Sequence, residues 1–142
     1  MKLSSNAITW IVVIVAFLLW RQYGPGLPRE VAYGYEAVAK AYAERRTHLM
    51  TEFSGRVQRI LPDDLSPPPH QRFTVVLDNG HVLLITHNLD LAGRIPLREW
   101  DPISIRGEYE WNDQGGLVHW THRDPYFGLK QGWIEYRGKL YD

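Results

Sequence analysis

Two of the six histidines in this chain, His119 and His122, flank Trp120 within the run Gly115-Gly116-Leu117-Val118-His119-Trp120-Thr121-His122-Arg123-Asp124-Pro125. Imidazole titrates near neutral pH, so it can act as a general base or ligate a divalent metal, and this run is the first place to look for chemistry. Spacing restricts the metal option. Residues three apart on a flat strand point to opposite faces, so both rings reach one ion only if the strand ends or bulges near Thr121. A wider grouping is richer in roles. His70, His87, Asn88, Asp90, His122 and Asp124, with Arg72 and Arg94, fall at or near expected strand ends. His122 or His87 supplies a base, Arg72 or Arg94 a clamp for an anionic oxygen, and Asp90 or Asp124 a group to position a histidine or a metal. Asn88 and His70 complete the substrate side, and His70, His87, His122 and Asp124 are the candidate metal ligands. The bland account stands beside this one: His-Asn and Asp-Pro are common turn formers, and Arg72 beside Phe73 suits an ordinary surface cation.

For these residues to meet, particular strands must carry them. His70 to Asp78 alternates, with Phe73, Val75 and Leu77 on one face and His70, Arg72 and Thr74 on the other. Asn79-Gly80 is a two-residue hairpin signal, so His81 to His87 returns antiparallel, bringing His87 beside His70 at the end opposite the turn. Pro102 to Trp111 alternates again, Asn112 to Gly115 turns, and Gly116 to His122 forms a fifth strand. Placing Trp111 opposite Gly116 sets Glu110 against Leu117, Tyr109 against Val118, Glu108 against His119 and Gly107 against Trp120. That register sends Ile103, Ile105, Tyr109, Val118 and Trp120 to the core, and Arg106, Glu108, Glu110, His119 and Thr121 outward. A slip by one residue buries Glu108 without a partner, which is costly. Glu108 and Glu110 resemble a catalytic acid pair by proximity, but on one strand face they read as partners of Arg106 and His119.

The remaining elements follow in order. Leu49 to Leu61 reads as a long strand bent at Gly55, and Pro62 to Pro69 as a loop. Asn88 to Leu97 is a connection with a helical turn, and Trp133 to Tyr141 adds a terminal hairpin around Arg137-Gly138. This order predicts a mainly β domain over residues 48–142, a small five-stranded Greek-key barrel of the oligonucleotide/oligosaccharide-binding (OB) type. Another small closed barrel and an open antiparallel sheet are the alternatives. Residues 24–47 read as a linker, Gly24 to Pro28, and an amphipathic helix from Arg29 to about Arg46 whose stripe is Val31, Tyr35, Val38 and Tyr42. Residues 1–23 read as an uncleaved membrane anchor: Ala7 to Trp20 is free of charge, and residues 3–20 reach the length of an inner-membrane span. Lys2 and the amino terminus sit inside, Arg21 and Arg29 reduce the charge asymmetry, and the resulting topology is single-pass with the domain on the periplasmic side.

Composition narrows the function classes. Sixteen basic and sixteen acidic side chains cancel, so no global positive field announces a nucleic-acid binder, and any anionic ligand must use a local site. Without cysteine there are no disulfides and no thiolate zinc site, leaving His, Asp and Glu as the strong metal ligands. Phosphate-cradling glycine loops and a serine elbow are absent.

Four ordered blocks carry a likeness: His70-Gln71-Arg72-Phe73, Leu84 to Ala92, Gly107-Glu108-Tyr109-Glu110-Trp111-Asn112, and Gly115 to Pro125. Over roughly Thr51 to Tyr141 the chain resembles the bacterial family called domain of unknown function 3465. The resemblance implies a small exported or membrane-anchored bacterial protein and assigns no chemistry. Thr86 and Arg123 depart from the family's wording, the second standing where a third histidine is frequent. The residues therefore lead to two expectations: a membrane-anchored phosphodiester hydrolase, nuclease-like and using a divalent metal, or a non-catalytic OB-like module for an oligonucleotide, a glycan or a protein partner.

Overall fold

Alternating apolar side chains drive the chain into strands, and the computed structural model, which describes residues 5–23, 30–126, 128 and 131–142, is mainly β. After α1 (Ser5–Tyr23) come β1 (Val31–Tyr33), α2 (Gly34–Ala43), β2 (Leu49–Asp64), β3 (His70–Val76) and β4 (Val82–Asn88). The chain continues through β5 (Pro102–Glu110), β6 (Leu117–His119), β7 (Trp133–Tyr136) and β8 (Lys139–Tyr141). The linker read at Gly24 to Pro28 lies outside the described residues.

Hydrogen bonding links the strands in the order β1-β2-β3-β4-β6-β5-β7-β8, and β2 pairs a second time, with β5. The pairings β2-β3-β4-β6-β5 therefore return to β2. One strand can serve both neighbours because β2 is long: residues 49–56 lie against β5, and residues 56–64 against β3. Its register shifts between Val57 and Arg59 and again between Leu61 and Asp64, just beyond the bend expected at Gly55. Gly55 serves close approach instead, since a Cβ there would lie 2.7 Å from the Val76 carbonyl oxygen. β4 and β6 are parallel, and the other neighbours of this set are antiparallel.

Phe73, Val75, Leu83, Ile85, Ile105 and Val118 are fully buried, inward residues of successive strands. α2 adds Val38 and Ala41 to the same core. The amphipathic helix starts later than its pattern suggests, because Val31–Tyr33 pairs parallel with Met50–Glu52 and so takes an extended form. The expected terminal hairpin is present as β7–β8 and pairs with β5, and one strand not expected, β1, pairs with β2.

Among the described residues α1 makes no contact with another helix or strand, and its side chains from Thr9 to Leu19 are exposed. No helix among the described residues is long and apolar enough to cross a membrane.

Candidate functional site

The β3–β4 hairpin brings its ends together as expected: His70 stands opposite Asn88 and Gln71 opposite His87. The pleat then separates them. Gln71 and His87 point inward and are buried, whereas His70, Arg72, Thr86 and Asn88 lie on the outer face.

His87 is used internally. The Gly93 carbonyl lies 3.1 Å from Nε2 and can only accept, so Nε2 carries the proton, and the Thr121 hydroxyl donates to Nδ1 over 2.8 Å. Burial pushes its pKa down to about 4; the bond to Gly93 opposes this, and the nearby His122 and His70 add to it. The ring is neutral at ordinary pH with both nitrogens engaged. Gln71 works beside it, donating to the Ile95 carbonyl over 2.8 Å and accepting from the Ile95 amide over 3.0 Å. The two side chains hold the connection from Leu89 to Asp101 against β3 and β4.

The other candidates are dispersed. His122 is buried, donates from Nδ1 to the Arg123 carbonyl over 2.7 Å, and its ring lies 5.0 Å from that of Trp120. Asp124 Oδ1 accepts from the Tyr126 amide over 2.8 Å, the bond of an Asx turn. Asn88 Oδ1 accepts from the amides of Asp90 and Leu91, and Asp90 itself is exposed. Arg94 is paired with Asp63, while Arg72 Nε donates to the Pro62 carbonyl over 2.9 Å. His70 and His87 share one end of the hairpin but lie on opposite faces of the sheet.

The β5–β6 register is the expected one, with Glu108 opposite His119, Tyr109 opposite Val118 and Glu110 opposite Leu117. Beyond His119 the alternation fails. Trp120 takes a left-handed φ of 55°, which ends the strand and turns Thr121 and His122 inward. Thr121, expected outside, is fully buried under His87, and Trp120, expected in the core, is half-buried.

Four titratable side chains converge on the outer face of this register. His48 Nδ1 lies 3.0 Å from Glu108 Oε1 and 2.8 Å from Glu110 Oε1. His119 Nε2 approaches the same two oxygens, at 3.9 and 3.4 Å. The second oxygen of Glu110 accepts from the Thr47 hydroxyl. Burial raises the Glu110 pKa, but the bonds from Thr47 and His119 and the charges of His48 and His119 outweigh it, leaving the carboxyl below its usual value. Arg106, expected to join Glu108 and Glu110, turns instead to Glu52 at 3.5 Å. His48 was not among the sequence candidates. It sits in the turn between α2 and β2, and only the pairing of Leu49 with Tyr109 brings that turn to β5.

Basic and hydroxyl side chains gather on one part of the sheet, interleaved at the end of β2 with Asp63, which pairs with Arg94, and Asp64, which stands opposite His70. The outer side of β2, β3 and β4 presents Arg59, His70, Arg72, Thr74 and Thr86, with Thr74 bonded to Gln58. Carboxylates gather around β1, β5 and β7, where Glu52, Asp78 and Glu135 line a cleft of about 370 Å³ together with Tyr33, Tyr35 and Trp133.

A family model described as "Protein of unknown function (DUF3465)" matches residues 30–142. No curated protein matches the sequence.

Proposed function

The chain belongs to that family of unknown function, whose description assigns no chemistry, and from this premise we propose that it is a membrane-tethered, OB-like binding module for an anionic chain, an oligonucleotide first. The carrying observation is the outer face of β2, β3 and β4, where Arg59, His70, Arg72, Thr74 and Thr86 stand together on a set of strands whose pairings return on themselves. A five-strand set with this order and one parallel pair suits an OB barrel, and OB barrels take oligonucleotides over their second and third strands, the equivalents of β3 and β4. The tether in this reading is the apolar run read over residues 3–20, supported by the exposed apolar side chains of α1 from Trp10 to Leu19. Since α1 as described does not meet the length and apolarity of a full span, the placement of the domain on the periplasmic side of the inner membrane rests on the charge pattern of the sequence.

Hydrolysis of phosphodiesters at the rim is the second reading, favoured by His70 opening β3 and His87 near the close of β4 at the same end of the hairpin. His87 is a poor base for it, since both its nitrogens are bonded.

The test is fluorescence anisotropy of the chain in detergent with a labelled single-stranded oligonucleotide across a salt series. Binding weakens with salt, and Arg59→Ala and Arg72→Ala each lower the salt slope by about one. No binding at low salt, or slopes unchanged in both variants, overturns the binding reading. Shortened oligonucleotide in the same tubes moves the assignment to the hydrolase, and binding of an anionic glycan in its place would change the ligand class.

A further inference from the structure

The convergence of His48, Glu108, Glu110 and His119 exceeds what ion pairing alone explains. An imidazole Nδ1 carries at most one proton, yet His48 Nδ1 sits within 3.0 Å of an oxygen from each of two carboxylates. One N–H serves both only as a bent, shared bond, which leaves one carboxylate with the weaker share. Each glutamate also directs its Oε1, not its second oxygen, toward both rings. The nearest donor atoms of His48, Glu108 and Glu110 all lie within 4.8 Å of one another.

We propose that His48, Glu108, Glu110 and His119 form a binding site for a single zinc-class divalent metal ion on the outer face of β5 and β6. Four ligands about 2.0–2.2 Å from a tetrahedral ion stand about 3.3–3.6 Å apart. The four His-to-Glu separations of 2.8, 3.0, 3.4 and 3.9 Å bracket that spacing. His48, Glu108 and Glu110 reach one ion as they stand, and His119 completes the shell by a side-chain rotation. Two imidazoles with two carboxylates select zinc, cobalt or nickel over magnesium and calcium, which prefer an all-oxygen shell. Thr47 supplies outer support by holding the second oxygen of Glu110 and fixing the direction of the first. Access is from the His48 side, whose side chain is 73% exposed against 10% for Glu108. The sheet supplies three of the ligands preformed, and the turn before β2 closes over them with His48.

Isothermal titration of the untagged 142-residue chain in detergent with zinc chloride tests this, together with the absorption spectrum after cobalt(II) is added. The expected result is one zinc per chain and the intense visible bands of four-coordinate cobalt. His48→Ala, at an exposed position, and Glu110→Gln, which keeps the side-chain shape, each weaken zinc binding at least tenfold, while metal-free unfolding midpoints stay close to that of the parent. Absence of stoichiometric zinc binding overturns the assignment, as does parental affinity in both variants or a preference for magnesium or calcium.

Discussion

At the scale of single residues, a histidine's meaning is set by what its two nitrogens touch. His87 spends both on Thr121 and Gly93 in a fully buried position, so its task is to secure the Leu89–Asp101 connection. The pH dependence of stability follows. Its folded pKa, about 4, lies below the 6.5 of a free histidine, so the unfolded chain takes up the proton first. The stabilisation is complete above pH 6.5 and is lost as pH falls from there toward 4, by roughly 3 kcal/mol in all. Urea midpoints from pH 7.5 to pH 5 should therefore decline in the parent protein, and His87→Gln should be less stable at neutral pH but flatter over this range. A parallel decline in the variant would assign the effect to other groups. The carboxyl groups of Asp63, Asp64 and Asp101, all held below their ordinary value, lose their contributions only at lower pH.

At the scale of elements, the β5–β6 hairpin was the most legible part of the chain. Its register follows from turn chemistry and alternation: Asn112 Oδ1 accepts from the Gln114 and Gly116 amides, and Gly115 and Gly116 take positive φ. Where the strand stops was not legible. Glycine at 107 allows the Trp120 region to fold closely across β5, since a Cβ there would lie 2.5 Å from the His119 carbonyl oxygen and 2.7 Å from Val118 Cγ1. The backbone oxygen cannot yield as a side-chain tip can, so Gly107→Ala is expected to destabilise by roughly 2–4 kcal/mol. Thermal unfolding measures this directly, and a change below about 1 kcal/mol would mean that the strands can separate locally without penalty. Gly132, whose Cβ would lie 1.8 Å from the Trp120 carbonyl oxygen, marks a second crossing in the same region.

At the scale of the whole molecule, the sheet builds its core with α2 and without a contact from α1 among the described residues. Deleting residues 1–29 is expected to leave the unfolding midpoint unchanged and to move the protein from the membrane fraction to the soluble one. Retention with membranes after the deletion would refute the tether. By itself the sequence determined the mainly β class, the β5–β6 register, most of the buried apolar rows and the family likeness, because these depend on side-chain period and turn residues within a few positions of one another. The β3–β4 register differs by one from the two-residue turn expected at Asn79-Gly80, because Leu77 pairs with His81 across three residues and so sets His87 opposite Gln71. Only the tertiary structure decided which polar residues meet. His70 and His87 are parted by a pleat, His122 and Thr121 are turned inward by the backbone at Trp120, and His48 is carried to Glu108 and Glu110 across about 60 residues by the pairing of β2 with β5. That juxtaposition is a long-range property of strand pairing. No local pattern around Thr47-His48 encodes it, because a turn residue acquires chemical partners only when the sheet has placed them there.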